Sequence, residues 1–367
     1  METGVCRWGI LGTAGIARKN WQAMALAGNA SLTAVASRSL ERSRRFVAAC
    51  QAASPHATAP IALEGYDALL GRGDVDAVYI PLPTGLRKEW VLAAARAGKH
   101  VLVEKPVGVS AADVRDMLAA CDAANVQFMD GVMFMHGSRL QALRRTLDDG
   151  HSVGPIRRIA TQFGFNGDDE FFRRNIRLDS ALEPHGCLGD LGWYNLRFTL
   201  WAMDYELPTR VSARTLAQAG RPESPGQVPV EMSGELFFRD GVSASFYCSF
   251  RTENQQWANV GGTRGFVHVP DFVLPFFGDE TRFEVTNSVF EVRGCDFDMQ
   301  RRSRRVAVPE YASSHPSAQE ARMFRAFSTL AASGRRDPHW GEIALKTQLL
   351  LDACRQSAAE GREVTLG

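Results

Sequence analysis

A short run of small residues near the N-terminus has the composition of a phosphate-binding turn. Its six residues are Gly12, Thr13, Ala14, Gly15, Ile16 and Ala17. A dinucleotide-binding turn needs a small residue for the bend, another beside the pyrophosphate, and a third that lets helix and strand pack closely. Gly12 and Ala17 suit the first and last roles, whereas Ala14 stands where glycine is usual. The free N–H groups and positive dipole end of the following helix would then face the phosphates.

The end of the next candidate strand predicts which nicotinamide dinucleotide is preferred. Ser37 and Arg38 close this strand, and no acidic residue follows until Glu41. A site for NAD usually places Asp or Glu here to bind the ribose 2′-hydroxyl, whereas arginine accommodates a 2′-phosphate. We therefore expect NADP(H) to be preferred over NAD(H), with Arg38 providing most of the discrimination. The alternative interpretation is that Arg38 is a solvated surface residue.

Elements that could position these residues alternate between strands and helices in the first third of the chain. Candidate strands are Arg7–Leu11, Leu32–Ala36, Ala77–Pro81, His100–Val103 and Gln127–Met129, and candidate helices are Ile16–Leu26, Leu40–Ala53, Lys88–Ala97 and Ala111–Asn125. This order is typical of an α/β fold in which crossover helices connect parallel strands. We predict a Rossmann domain with a doubly wound parallel sheet over residues 1–129.

The remainder of the chain has a different pattern, in which strands follow one another. Candidate strands are Arg157–Phe165, Val211–Thr215, Glu231–Phe238, Val242–Ser249 and Gly265–Val269, and candidate helices are Asp190–Met203, Ala318–Ala332 and Glu342–Ala359. Asp240-Gly241 is a hairpin signal between two of these strands. The pattern predicts an α+β domain with a largely antiparallel open sheet over residues 130–367, which would bind substrate and mediate oligomerisation.

Composition excludes several other classes of protein. The 367 residues carry a formal net charge of +1, so we expect no nucleic-acid partner. The apolar runs are far shorter than the ~20 residues of a membrane helix, and the N-terminus does not resemble a signal peptide. Seven widely spaced cysteines, none in a C-x-x-C pair, favour buried thiols in a reducing compartment. We expect no metal site and a cytoplasmic location.

Glu104-Lys105-Pro106 directly follows the candidate strand His100–Val103. In an open parallel sheet, ligands bind beyond the carboxyl ends of the strands, so Lys105 would stand at the cofactor crevice. At this position the tripeptide resembles the signature of the Gfo/Idh/MocA oxidoreductase family. The resemblance spans essentially the whole chain, and its other motifs are Ala77–Thr84, Gly186–Tyr194 and Asp271–Pro275.

The resemblance implies a catalytic set of Lys105, Asp190 and Tyr194. Many family members carry histidine four residues after the aspartate. Tyrosine at this place is similar to glucose–fructose oxidoreductase, dimeric dihydrodiol dehydrogenase, NADP-dependent xylose dehydrogenase and certain sugar 3-ketoreductases. A free tyrosine, with a pKa of about 10, is a poor base, but a nearby ammonium such as that of Lys105 favours the phenolate. On a regular helix, Asp190 and Tyr194 would share a face. The alternative for Tyr194 is a half-buried aromatic residue with a satisfied hydroxyl.

The resemblance also implies further contacts with cofactor and substrate. Besides the phosphate-binding turn, Ser37 and Arg38, the cofactor residues would be Pro81, Leu82, Pro83, Thr84, Arg87, Glu104 and Lys105. Histidine is common in the family where this chain has Arg87, which puts that nicotinamide contact in doubt. Substrate residues would be Met133, Phe134, His136, Arg177 and Tyr194, although His136 could equally be an interior histidine. A homo-oligomer, a dimer or tetramer, is also implied.

Three functions follow from these observations. The leading one is an NADP(H)-dependent oxidoreductase that transfers a hydride between the nicotinamide and a carbohydrate or polyol hydroxyl or carbonyl, with Tyr194 as general acid/base assisted by Lys105. The second is a non-redox enzyme, for elimination or glycoside hydrolysis, that retains NAD(P). The third is a dinucleotide-sensing regulatory protein. Relatives of the third kind tend to lose the catalytic lysine, whereas Lys105 is present.

Overall fold

The computed structural model describes residues 4–366, which form two compact units. The first contains the chain up to His136, together with Ala181–Pro184 and Ser313–Leu349. The second contains Gly137–Ser180, His185–Ala312 and the residues from Leu350 onward. The division into domains 1–129 and 130–367 stays a prediction. The compact units differ from it because residues 130–136 and two later segments, Ala181–Pro184 and Ser313–Leu349, belong to the first unit.

A six-stranded parallel sheet forms the centre of the first unit. Its strands are β1 (Cys6–Leu11), β2 (Ala30–Ser37), β3 (Ile61–Glu64), β4 (Ala77–Ile80), β5 (His100–Val103) and β6 (Phe128–Asp130). Helices α1 (Gly15–Ala27), α2 (Leu40–Ala53), α3 (Tyr66–Leu70), α4 (Thr84–Arg96) and α5 (Ala111–Ala123) connect them. The strand order β3-β2-β1-β4-β5-β6 is that of a doubly wound nucleotide-binding sheet, as predicted.

The core of this unit explains why a C-terminal helix belongs to it. Helix α9 (Gln319–Ser333) packs on β1, where the Trp8 ring lies 5.1 Å from Phe324 and 4.9 Å from Phe327. The Trp8 indole Nε1 donates a hydrogen bond to Ser328 Oγ at 3.0 Å. Strand β4 is buried along its whole length, which explains why it reads as a continuous apolar run.

A nine-stranded sheet forms the centre of the second unit. Its strands are β7 (Ile156–Asn166), β8 (Arg210–Ala219), β9 (Val228–Phe237), β10 (Ser243–Ser249), β11 (Arg251–Gly262), β12 (Phe266–Val269), β13 (Glu280–Arg293), β14 (Asp296–Pro309) and β15 (Val364–Thr365). Their order is β14-β13-β12-β11-β7-β10-β9-β8-β15, and only β7 and β10 pair in parallel. The predicted α+β architecture with a largely antiparallel sheet is confirmed.

The remaining helices are α6 (Ser138–Asp148), α7 (Asp169–Arg174), α8 (Trp193–Ala202) and α10 (His339–Glu360). All ten residues of α8 are buried, as its apolar sequence requires. The prediction of one regular helix over Asp190–Met203 is wrong at its start. Residues Leu188–Gly192 form a π-helical turn, and α8 begins only at Trp193. Because hydrogen bonds in a π-turn run from i to i+5, the expected i, i+4 alignment of Asp190 with Tyr194 does not apply.

No helix between residues 4 and 366 is both long enough and apolar enough to span a bilayer. Within the same described residues, no group of three or more histidine, cysteine or acidic side chains is arranged to hold a metal ion.

Candidate active site

The predicted phosphate-binding turn has a sharply bent backbone at its first glycine. Gly12 has a φ of 119°, and a Cβ at this position would lie 3.0 Å from Leu82 Cδ2, so the first small residue is needed for the bend. Ala14 has a φ of −68°, an ordinary value, and its methyl therefore demands no special backbone. Helix α1 begins at Gly15 without a side-chain cap and without an acid in its first turn. Its N-terminal N–H groups thus fit the phosphates of a nicotinamide dinucleotide.

Ser37, the last residue of β2, and Arg38, which follows it, have different surroundings. The Ser37 hydroxyl is buried and donates to the Ser39 carbonyl at 2.7 Å, while it accepts from Ser43 Oγ at 2.9 Å. Ser37 therefore shapes the turn into α2. Arg38 is exposed, and its charge acts on the nearby Tyr66 hydroxyl, whose pKa is nevertheless raised because burial outweighs the effect of Arg38. Arg38, and not Ser37, thus has the exposed positive charge that a 2′-phosphate would require.

The loop after β4 is held by two polar side chains. Arg87 is buried on α4 and donates from Nε to the Leu82 carbonyl at 2.7 Å and from Nη1 to the Pro106 carbonyl. It thereby joins the loop Pro81–Thr84 to the loop that carries Lys105. Glu183 accepts hydrogen bonds from both the backbone N–H and the hydroxyl of Thr84.

Glu104 lies in a buried polar group at the end of β5. Its Oε1 accepts a hydrogen bond from the Tyr79 hydroxyl at 2.5 Å. The Asn20 amide donates to the Tyr79 hydroxyl oxygen at 2.6 Å and to Glu104 Oε1 at 3.5 Å. The backbone N–H of Lys105 donates to Glu104 Oε2 at 3.3 Å. Lys105 therefore directly follows a carboxylate, that of Glu104, which Tyr79 of strand β4 holds in place.

The other two residues of the predicted catalytic set belong to the second unit. Asp190 is largely buried and accepts a hydrogen bond from Arg177 Nε at 2.6 Å, so a predicted catalytic residue and a predicted substrate residue form an ion pair. Tyr194 is 6% exposed on α8, and its ring centroid lies 5.8 Å from that of Phe163. Lys105 belongs to the first unit.

The predicted substrate residues after β6 lie in a short 3₁₀ helix, Met133–His136. Met133 and Phe134 are buried, and Met133 is part of the core beneath the N-terminal sheet. The His136 ring stacks on Trp340 with 4.7 Å between centroids and 17° between planes. These contacts give all three residues a packing role in the first unit, and contact with substrate stays a prediction for them.

Sequence reasoning missed Asn20, Tyr79 and Glu183. Asn20 and Tyr79 had the appearance of ordinary helix and strand residues, and only the fold brings them to Glu104. Glu183 is 99 residues away from Thr84 along the chain, so no spacing rule links the two. The only indication in the sequence was the position of Glu183, a charged residue three positions before the motif Gly186–Tyr194.

Comparison with known proteins agrees with this architecture. The model of an oxidoreductase family with an NAD-binding Rossmann fold matches residues 6–132, and that of the GFO/IDH/MocA C-terminal domain matches residues 140–268. A dTDP-3,4-didehydro-2,6-dideoxy-alpha-D-glucose 3-reductase from Streptomyces violaceoruber is 38% identical over 208 residues, just over half (56%) of each chain. A D-xylose 1-dehydrogenase (NADP(+)) from Haloferax volcanii is 32% identical over 262 residues, 70% of this chain and 74% of that protein.

The fold is shared with a solved structure along almost the full length. A 3-ketoreductase from Actinomadura kijaniata, in complex with NADP and TDP-benzene, superposes with a TM-score of 0.77 at 27% sequence identity. The match covers 96% of this chain and 98% of the ketoreductase. Together with the family matches over both halves, these similarities confirm the predicted resemblance: the chain belongs to the Gfo/Idh/MocA oxidoreductase family.

Proposed function

We propose that the chain is an NADP(H)-dependent oxidoreductase that transfers a hydride between the nicotinamide and a hydroxyl or carbonyl group of a carbohydrate or polyol. The observation that carries this proposal is the position of Lys105, directly after a buried strand of a doubly wound sheet and beside a carboxylate fixed by Tyr79. The ketoreductase crystallised with NADP and the NADP-dependent xylose dehydrogenase support both the cofactor and the substrate class.

Tyr194 is the proposed general acid/base, and Lys105 assists it. The bound nicotinamide supplies or accepts the hydride. In the reducing direction the Tyr194 hydroxyl gives its proton to the oxygen that becomes the alcohol, and in the oxidising direction the phenolate takes that proton back. The Lys105 ammonium stabilises negative charge on this oxygen and on the phenolate. Arg177 holds the Asp190 carboxylate, which makes Asp190 a charged neighbour of fixed orientation for the polar groups of the substrate.

Exposed Arg38 is the proposed basis of NADP(H) preference. Its neighbour Ser37 uses its hydroxyl within the turn, so discrimination rests on the arginine. We also propose a homo-oligomer, a dimer or tetramer, because one face of the nine-stranded sheet keeps aromatic side chains such as Trp257 and Phe266 only half-buried. Light scattering coupled to size-exclusion chromatography measures this, and a monomer at micromolar concentration contradicts it.

Turnover of a substrate panel tests the proposed reaction. Aldoses, keto-sugars and diols are assayed by NADPH absorbance with wild type, Tyr194→Phe and, as a matched control, exposed Tyr311→Phe. We expect Tyr194→Phe to lower kcat by about 10²- to 10⁴-fold, the usual contribution of a general acid/base, with the Kd of NADPH unchanged. Unaltered turnover in Tyr194→Phe removes the tyrosine from its role. Tightly retained NAD(P) without net turnover favours the non-redox alternative instead.

A further inference from the structure

Helix α4 begins without a cap of its own. Its N-cap residue is Pro83, which provides no side-chain hydrogen bond, and its first turn contains no acid. The first N–H groups of a helix lack partners within the helix, and buried N–H groups require partners from elsewhere. Because the predicted cofactor loop Pro81–Thr84 runs directly into this helix, the partner that caps α4 also fixes the end of that loop.

The partner is the segment Ala181–Pro184, which crosses from a distant part of the chain. Glu183 Oε1 accepts the Thr84 N–H at 3.1 Å, and Glu183 Oε2 accepts the Thr84 hydroxyl at 2.5 Å. The Leu182 carbonyl accepts the next N–H, that of Gly85, at 3.0 Å. A carboxylate at this end of a helix also interacts favourably with the helix dipole.

The segment Ala181–Pro184 packs so closely against the first turn of α4 that position 85 has no room for a side chain. A Cβ on Gly85 would lie 2.3 Å from the Ala181 carbonyl oxygen. Thr84 is 1% exposed, so its hydroxyl has little access to solvent as an alternative acceptor. Ala181–Pro184 belong to the first compact unit, although the residues on both sides in sequence belong to the second.

We propose that Glu183 is a positioning residue for the catalytic motif. Only six residues separate it from Asp190 and ten separate it from Tyr194, while its carboxylate is bound to the helix that follows the cofactor loop. Glu183 is therefore held at the end of the predicted cofactor loop and lies close in sequence to the predicted catalytic motif. This inference rests on the proposed function for its kinetic test, but not for its structural test.

The kinetic test compares Glu183→Ala, Glu183→Gln and Thr84→Val with Glu363→Ala, an exposed carboxylate paired with Arg210. We expect Glu183→Ala to lower kcat by about 10- to 100-fold, the equivalent of ~1.4–2.7 kcal/mol. The Kd of NADP(H) is expected to rise by less than kcat falls, because the turn at Gly12 and the Arg38 side chain are unchanged. Glu183→Gln, which keeps an acceptor for the Thr84 N–H, should recover most of the activity.

The double variant Glu183→Ala with Thr84→Val provides the decisive comparison. Glu183→Ala removes both hydrogen bonds with Thr84, including the hydroxyl bond that Thr84→Val removes, so the double variant should be no slower than Glu183→Ala alone. A reduced melting temperature with unchanged kcat overturns the proposal, because Glu183 is then only a structural cap. A rise in the Kd of NADP(H) as large as the fall in kcat also overturns it, because Glu183 then acts only through the cofactor loop.

Hydrogen–deuterium exchange tests the inference without any reaction. In Glu183→Ala, amides in residues 84–85 and 185–192 should exchange about tenfold faster than in wild type, whereas those in residues 12–17 should not change. Unchanged exchange in residues 185–192 contradicts the proposal. If wild type reduces no carbonyl substrate but this exchange pattern is observed, the proposed reaction fails while the positioning contact stands.

Discussion

The phenolic oxygen of Tyr79 lies 2.5 Å from Oε1 of Glu104, and both side chains are buried. Burial, followed by the neighbouring carboxylate, raises the pKa of Tyr79 well above its ordinary value, so the phenol remains a hydrogen-bond donor at any physiological pH. A buried carboxylate is stable only when donors surround it. Tyr79 and Asn20 supply those donors on the strand side of Glu104, next to the residue that the proposed reaction uses.

Replacing Tyr79 by Phe should therefore lower both the unfolding free energy and kcat. Loss of a donor to a buried charged group costs about 1–3 kcal/mol of unfolding free energy. We also expect a fall in kcat, because the Glu104 carboxylate adjoining Lys105 loses its principal anchor. Urea unfolding and steady-state kinetics measure the two effects, with exposed Tyr311→Phe as control. Equal unfolding free energies for wild type and Tyr79→Phe would show that the contact contributes nothing.

Arg38 should control the choice of cofactor. In Arg38→Ala, we expect kcat/KM with NADPH to fall by about 10- to 100-fold, because a charge-assisted contact to the 2′-phosphate is lost. The value with NADH, which has no 2′-phosphate, should change less than about twofold. Arg45→Ala is a suitable control, since Arg45 is exposed on α2 and pairs with Glu41. Wild-type kcat/KM that is equal or higher with NADH contradicts the assignment.

Local patterns predicted five of the six strands of the first sheet. Strand β5 has the predicted bounds, His100–Val103, because a fully buried parallel strand is a continuous apolar run between clear breaks. Helix α2 likewise has the predicted bounds, Leu40–Ala53. The short strand β3 was missed, since its four residues are all half-buried or exposed and are too few to show a periodicity.

The second sheet was predicted less completely, for a physical reason. Strands β13 and β14 extend beyond their neighbours, and much of their length is exposed on both faces, so polar and apolar residues do not alternate cleanly. Strand β14, which carries the arginine-rich run 301–305, is an edge strand of this sheet. The π-turn at Leu188–Gly192 could not be predicted, because helical periodicity does not distinguish a π-turn from an α-turn over five residues.

Two buried thiols should make the protein less stable at alkaline pH. Burial, reinforced by nearby acids, raises the pKa of Cys6 and of Cys121 from 9.0 to about 12. Between these values the unfolded chain has lost the thiol proton that the folded chain retains. Unfolding free energy is therefore unaffected below pH 9 and falls above it, by up to ~1.4 kcal/mol per pH unit and per thiol.

Urea unfolding at pH 8 and pH 10, with reductant present, measures this effect. In Cys121→Ala, which removes one of the thiols with a raised pKa, unfolding free energy should decline less between these pH values than in wild type. The comparison of slopes is independent of the stability lost through the cavity itself. If unfolding free energy declines equally in wild type and Cys121→Ala, the Cys121 thiol does not have the raised pKa in the folded protein.

Arg87 should matter for turnover more than for cofactor affinity. Its guanidinium binds the carbonyls of Leu82 and Pro106 at once, and the second of these adjoins Lys105. A lysine offers a single ammonium in place of the planar fork, so Arg87→Lys leaves one carbonyl without its donor. Arg87→His, which introduces the residue expected from the family resemblance, also lacks the reach to bind both. We expect kcat to fall by about tenfold in both variants, the equivalent of ~1.4 kcal/mol, with the Kd of NADP(H) within about twofold.

Arg96→Lys is the matched control, because Arg96 is exposed in the last turn of the same helix. It should retain wild-type kcat and melting temperature. A lower melting temperature in Arg87→Lys together with wild-type kcat would mean that Arg87 stabilises α4 without acting on Lys105. A large rise in the Kd of NADP(H) would instead make Arg87 a direct cofactor ligand, because a brace between two carbonyls has no reason to change affinity more than turnover.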